Sequence, residues 1–354
     1  MRSSQPRVRV SVLGAGAWGT ALAAAAATHH DVCLWARDDD LIQSMSNHRC
    51  NKRYLPGLDL PASIQFTADI AQAIRHGSPT HPTQTRAIII LGTPVVGLRD
   101  MCGLLVQHLV AVNTAPTQFK TSIVWTCKGL DPLTSQLPHE IVLQALGGAS
   151  NHYALGVLSG PSFAKEVAQG LPVALTIASL DESLREMVSE VFHHGPIRIY
   201  GTNDIIGVEV GGALKNIMAI ACGIADGLAL GNNARAALIT RGLAEMTRFG
   251  VKIGADAATF SGLTGLGDLV LTATGELSRN RQVGLALGHG QSLADVLASG
   301  LTAEGVRCAQ AVSSRAKALG VDMPITDAVC QVLFHQVPVK QAVSQLLARE
   351  AKSE

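Results

Sequence analysis

One lysine interrupts the apolar stretch Val210-Gly211-Gly212-Ala213-Leu214-Lys215-Asn216-Ile217-Met218-Ala219-Ile220-Ala221. Wound as a helix, the stretch is apolar almost all round, so burial is expected. A lysine on such a helix either snorkels its head group to solvent or holds it in a cavity against a partner. In the second case burial lowers its pKa, and the ammonium becomes able to exchange protons near neutral pH. Gly211 and Gly212, one turn earlier, are expected to leave room beside the lysine stem for a ligand.

A second chemical signature lies near the start. Gly14-Ala15-Gly16-Ala17-Trp18-Gly19 has the spacing G-x-G-x-x-G, after the strand-like Val8–Leu13 and before the alanine-rich segment 20–28. In that context Gly14 permits a tight turn, Gly16 lets backbone approach a pyrophosphate and Gly19 lets helix pack on strand. The helix N-terminus then offers N–H groups and a positive dipole end to the phosphates. The next strand-like run, 31–37, ends in Arg37 where an NAD-selective site would carry an acid. A guanidinium suits a 2′-phosphate, which favours NADP(H) or tolerance of both cofactors; Asp38 follows at once and pulls the other way.

Four further clusters could hold anions or move protons. Cys127-Lys128-Gly129 follows the buried strand 121–126, at the sheet edge where ligands bind. Ser159-Gly160-Pro161-Ser162-Phe163-Ala164 is a second glycine-bearing turn between strand and helix. Gly262 to Asp268 is a glycine-rich turn ending in an acid, with Asp268 and Thr272 on one helical face; Asp268 could equally serve only the helix dipole. Ser278-Arg279-Asn280-Arg281 reads as an N-cap followed by a forked donor and an amide, an anion clamp or a plain surface helix start.

The elements that must position these groups follow from periodicity. Strand and helix signals alternate up to Gly201, with further strands at 87–91, 153–158, 172–179 and 197–200, which predicts a doubly wound parallel sheet of Rossmann type. After it the strand signals stop, and helices are expected over 203–227, 232–253, 279–288, 293–298, 304–319 and 325–334. The domains are therefore placed at 1–201, dinucleotide-binding, and 202–354, all-helical and bearing Lys215.

Composition narrows the classes. The 354 residues are 47% apolar and 16% charged, with net charge +1, which suits a globular protein and gives no footprint for nucleic acid. Seven scattered cysteines without a C-x-x-C pair are expected to be reduced thiols in a cytoplasmic protein, with no metal site. Residues 1–10 carry no apolar h-region and no apolar run reaches about 18 residues without a charge, so neither a signal peptide nor membrane insertion is expected.

Taken together and in order, these motifs resemble the NAD(P)-dependent glycerol-3-phosphate dehydrogenases of bacterial type. The resemblance spans nearly the whole chain and includes Ala303-Glu304-Gly305. It implies an oxidoreductase that interconverts glycerone phosphate and sn-glycerol 3-phosphate by hydride transfer, supplying glycerol 3-phosphate for phospholipid synthesis, as a homodimer. It implies that Lys215 and Asp268 are catalytic, with Lys215 the acid in reduction. Asn216, Thr272, Lys128, Gly160, Ser162, Ser278, Arg279 and Asn280 match substrate positions. Trp18, Arg37, Lys128, Ala164, Arg279, Thr302 and Glu304 match cofactor positions beside Gly14, Gly16 and Gly19. Ala17 stands where many relatives have Ser, Thr302 where an aliphatic residue is common, and the loop 77–86 is longer than usual. Dehydrogenases of the β-hydroxyacid and 6-phosphogluconate type place an Asn one turn after the lysine; here that residue is Ala219. A non-catalytic NAD(P) sensor has no need of Lys215, Asp268 and Arg279 together.

Overall fold

A computed structural model describes residues 7–79, 86–109, 120–301 and 303–348. The chain forms two compact units, Met1–Cys127 with Pro138–Ile205, and Lys128–Leu137 with Ile206–Glu354. The ten-residue segment carrying Lys128, which the sequence placed within 1–201, groups with the helical unit.

The first unit is built on eight strands: β1 (Arg9–Leu13), β2 (Asp31–Trp35), β3 (Gln65–Thr67), β4 (Ala87–Leu91), β5 (Thr121–Trp125), β6 (Tyr153–Ser159), β7 (Val173–Ala178) and β8 (Ile197–Thr202). Their order is β3-β2-β1-β4-β5-β6-β7-β8. The first six follow the 3-2-1-4-5-6 order of the dinucleotide-binding fold, with its switch point between β1 and β4. All five residues of β4 are buried, as a strand covered on both faces requires.

The parallel-sheet expectation needs one correction. β7 runs antiparallel to β6, while β8 is parallel to β7. Only the five-residue helix Ala164–Ala168 separates β6 from β7, whereas β7 reaches β8 through the eleven-residue helix Glu182–Phe192. A parallel return needs a crossover of about a dozen residues or more, normally with a substantial helix, and the shorter helix goes with the reversed strand. The helices Asp39–His48 and Ile70–His76 and the strand β3 lie between 38 and 76, a stretch to which no element was assigned from the sequence.

The second unit is helical among its described residues. Its centre is Ile205–Gly227, in which every residue from Gly207 to Ala225 is buried. By length and composition this helix could cross a membrane, but 89% of its most apolar window is buried inside the protein, so it is a core helix. Glycines let its backbone approach that of Arg279–Gly288. A Cβ on Gly284 would run into the Ile220 carbonyl oxygen, and one on Gly223 into that of Arg281. One on Gly227 would lie 2.5 Å from the Leu285 oxygen.

This contact makes a directional prediction. Gly284→Ala forces two helix backbones apart and should destabilise the protein by roughly 1–3 kcal/mol, the usual range for overpacking. Gly103→Ala, in the exposed face of Leu98–Leu109, meets nothing within 4 Å and should instead stabilise by roughly 0.5–1 kcal/mol. Urea unfolding of both variants checks the opposite signs.

Candidate active site

In the first unit, the turn between β1 and the helix Ala17–Ala26 has the shape its glycines demand. Gly14 has φ +128°, and a Cβ there would lie 2.8 Å from the Gly92 oxygen. A Cβ on Gly19 would strike the Gly14 carbonyl. Gly16 differs: a Cβ there would meet nothing within 4 Å, so the space beside it is open. Gly16 is the N-cap of the helix and no side chain caps it. The first N–H groups therefore point where an anion can take them, and the residues fit a dinucleotide pyrophosphate. Trp18 is half-buried against the core of this unit.

Asn51, which the sequence did not single out, holds this turn. It is fully buried, and its amide donates to the Ala15 oxygen at 2.9 Å and to Thr20 Oγ1 at 2.8 Å. Arg37 is exposed just beyond β2. At the far end of β6, Gly160 has φ +135°, Ser162 donates to the Gly160 oxygen at 3.2 Å, and Ala164 opens the next helix.

The second unit brings the expected proton chemistry together. Lys215 is 6% exposed and Asp268 is fully buried. The Lys215 ammonium donates to Asp268 Oδ1 and, at 2.9 Å, to Thr272 Oγ1. Lys128 donates to the other carboxylate oxygen, Asp268 Oδ2, at 2.6 Å. One carboxylate thus serves two ammoniums. Burial pushes the Asp268 carboxyl up, but Lys128 and Lys215 outweigh it and hold the pKa below the ordinary range. For Lys215 burial dominates: its pKa is lowered to about 8, with Asp268 opposing the fall and Lys128 adding to it. The snorkelling alternative is thereby excluded.

The room expected beside Gly211 is filled. A Cβ there would run into the carbonyl oxygen of Thr264, in the turn Leu263–Gly267 that precedes the helix Asp268–Thr274. Gly211 is small so that this turn can press on the Lys215 helix and deliver Asp268, not to admit a ligand.

A polar chain runs alongside. The Asn280 amide donates to Asn216 Oδ1 at 2.9 Å, and its oxygen accepts the Gly305 N–H at 2.9 Å. Asn216 also reaches Glu304 Oε2 at 3.5 Å. Ser278 caps the helix Arg279–Gly288 by accepting the Arg281 N–H at 3.2 Å, and Arg279 is exposed in its first turn. Arg281 is engaged elsewhere: with Arg235 it pairs to Asp226, Nη2 to carboxylate oxygen 2.7 Å in each case. Thr302 lies outside the described residues, as do 80–85 of the long loop. Among the described residues no group of three His, Cys, Asp or Glu could hold a metal ion. A cavity of about 720 Å³ in the same unit, walled by Ala221, Ile224, Leu238 and Val329 among others, contains none of the site residues.

Comparison with known proteins identifies one family along nearly the whole chain. The NAD-dependent glycerol-3-phosphate dehydrogenase N-terminus family matches residues 9–185, and the corresponding C-terminus family matches 204–344. The chain is 53% identical over 349 residues to a glycerol-3-phosphate dehydrogenase (NAD(P)+) of Ralstonia nicotianae, covering 98% of this chain and 99% of that one. It is similar to the crystal structure of a glycerol-3-phosphate dehydrogenase from Coxiella burnetii, with TM-score 0.86, 38% identity, and 97% and 99% of the two chains covered. A glycerol-3-phosphate dehydrogenase structure from Plasmodium falciparum, 21% identical with TM-score 0.82 over 98% and 97% of the chains, shares the fold.

The shared carboxylate can be tested without substrate. Asp268→Asn leaves two ammoniums without their anion, so the Lys215 pKa should drop from about 8 by at least about one pH unit. Amine-selective labelling of Lys215 across pH, read by mass spectrometry, should show reactivity rising at lower pH than in the parent protein.

Proposed function

The chain belongs to the NAD-dependent glycerol-3-phosphate dehydrogenase family, and from that premise we propose that Lys215 is the acid and base of the reaction. The protein is an oxidoreductase that interconverts glycerone phosphate and sn-glycerol 3-phosphate with NAD(P)H. The observation that carries the residue assignment is a buried ammonium, fixed by Asp268 and Thr272, whose pKa is brought down to about 8.

NAD(P)H held at the glycine-rich turn 14–19 would supply a hydride for the carbonyl carbon, and negative charge would develop on the carbonyl oxygen. The Lys215 ammonium stabilises that charge and gives up a proton to it. In the reverse direction the neutral amine takes the hydroxyl proton. Burial lowers the proton affinity of Lys215, which makes donation in reduction easier, while Asp268 keeps the charged form populated and aimed. Lys128, on the opposite oxygen of Asp268, limits how far that carboxylate can stabilise the ammonium. The Asn216–Asn280–Gly305 hydrogen bonds register three segments against one another. The N-terminal N–H groups of Arg279–Gly288 and the Arg279 guanidinium are the donors for the substrate phosphate, whose binding orients the carbonyl for reaction. Gly160 and Ser162 belong to the same substrate reading, and Trp18, Ala164, Thr302 and Glu304 to the cofactor reading, on the family pattern alone.

NADP(H) is favoured over NAD(H) on the strength of Arg37. The helix Ile205–Gly227 is part of a helical core, and all seven cysteines are free thiols, which supports a cytoplasmic enzyme. A homodimer and a place in phospholipid synthesis rest on the family pattern.

Lys215→Ala should lower kcat about 10²–10⁴-fold, the usual worth of a positioned acid, while NADPH binding followed by fluorescence stays unchanged. In the parent enzyme kcat/KM for reduction should fall as pH rises through about 8, because the acid is then lost, and kcat/KM for oxidation should rise over the same range.

Arg279→Ala removes charge-assisted bonds of about 1.5–3 kcal/mol each, so kcat/KM for glycerone phosphate should fall roughly 10²-fold or more. Trace turnover of unphosphorylated dihydroxyacetone should barely change. Equal loss on both ketones would remove Arg279 from phosphate recognition.

A further inference from the structure

The end of β2 carries a conflict that the fold resolves. In a dinucleotide-binding sheet this is where the ribose 2′ position is read: an acid selects the hydroxyl of NAD, a cation the phosphate of NADP. Arg37 is followed by Asp38, and Asp39 and Asp40 begin the next helix. Four consecutive residues thus bring one positive and three negative charges to the place where a doubly charged phosphate would bind.

Asp38 is not available in the way its position suggests. One oxygen caps the helix Asp39–His48 by accepting the Leu41 N–H at 3.0 Å. The other pairs with Arg53 Nη1 at 2.9 Å. Arg53 reaches this point from a segment anchored on the opposite side, at the glycine-rich turn. The buried Asn51 amide bonds the Ala15 oxygen and Thr20, its own oxygen accepts the Tyr54 N–H at 3.1 Å, and its carbonyl accepts the Leu55 N–H at 2.9 Å. The Arg53 guanidinium lies over the Tyr54 ring, 5.2 Å from its centroid. The turn that would hold the pyrophosphate and the strand end that would meet the 2′ position are therefore bridged by one tether, Asn51 to Arg53 to Asp38.

We infer that Arg53 is a cofactor-selectivity residue, neutralising Asp38 so that Arg37 can receive a 2′-phosphate. The inference rests on the reading that Arg37 faces the 2′ position. Both members of the ion pair are partly exposed, with side-chain exposures of 60% and 39%, so the effect is a screened, salt-sensitive field and not a buried contact. Arg53→Ala leaves Asp38 as an acid beside the 2′ position, which disfavours phosphate and not hydroxyl.

The test is equilibrium binding by calorimetry to the full chain, with 2′,5′-ADP and 5′-AMP as probes that differ only in the 2′-phosphate. At low salt Arg53→Ala should weaken 2′,5′-ADP about three- to tenfold, leave 5′-AMP within about twofold, and lose most of this difference at high salt. Adding Asp38→Asn should restore 2′,5′-ADP binding, because Asn keeps the helix cap without the charge. Weakening of both probes alike, no weakening, or failure of Asp38→Asn to rescue overturns the role of Arg53. Arg37→Asp separates the two levels. If it abolishes discrimination while Arg53→Ala does not, the Arg37 reading stands and the Arg53 inference falls; if Arg37→Asp leaves discrimination intact, both fall.

Discussion

A buried ammonium is the demand around which the second unit is arranged. Withdrawing a lysine head group from water costs several kcal/mol, and the charge persists only if an anion and hydrogen-bond acceptors are brought to it. The apolar run around Lys215 makes the burial unavoidable, since leucine, isoleucine and methionine occupy the surrounding positions of the same helix. Asp268 and Thr272 meet the demand from one helical face, and the glycine-rich turn before them is what allows that helix to start so close. The compensation is incomplete: burial outweighs it and brings the Lys215 pKa down to about 8, with Lys128, on the other oxygen of Asp268, adding to the fall. A lysine with an exclusive carboxylate would hold its proton more tightly and release it less readily.

The same helix is also the ruler against which the start of the helix Arg279–Gly288 is measured. Helices separated by large side chains can slide by fractions of a turn when one chain changes rotamer. Here Gly223 meets the backbone of Arg281 and Leu285, Gly284 that of Ile220 and Ile224, and Gly227 that of Gly288, so backbone meets backbone. The Asn216–Asn280 hydrogen bond sits at one end of that contact and the Asp226–Arg281 pair ties the other end of the first helix back to the second. The spacing between Lys215 and the start of the helix Arg279–Gly288 is thus set by main-chain atoms, which are the least adjustable part of a protein.

Much of this was legible in the sequence where the signal is local. Three glycines at fixed spacing between a strand and a helix specify a turn by themselves: Gly14 takes the positive φ and Gly19 the close helix–strand contact that the spacing implies, and Gly16 leaves open space beside the turn. Lys215 could be recognised as buried because its helix has no polar face for it to join. The reversed direction of β7 was not legible, because residue alternation is the same in either direction. Asn51 was missed because its partners lie 31 and 36 residues away and nothing around it carries a period. Gly211 was misread for a related reason: a small residue marks a close approach, and only the structure tells whether the visitor is a ligand or, as here, the Thr264 carbonyl.

The path of the chain has an evolutionary consequence. It passes from the first unit to the second after Cys127, returns after Leu137 and passes over again after Ile205. The helical unit is therefore discontinuous, and the ten residues that provide Lys128 are made well before the helices that provide Asp268 and Lys215. A gene fragment starting at Ile206 would encode Lys215 and Asp268 without Lys128, the second cation on that carboxylate. Recombination at that boundary between distant relatives would mix a Lys128 segment from one parent with an Asp268 pocket from the other. Such chimaeras would have to re-form the Lys128–Asp268 pair from two parents, so that contact couples sequence change in the ten-residue segment to change in the helices beyond Ile206.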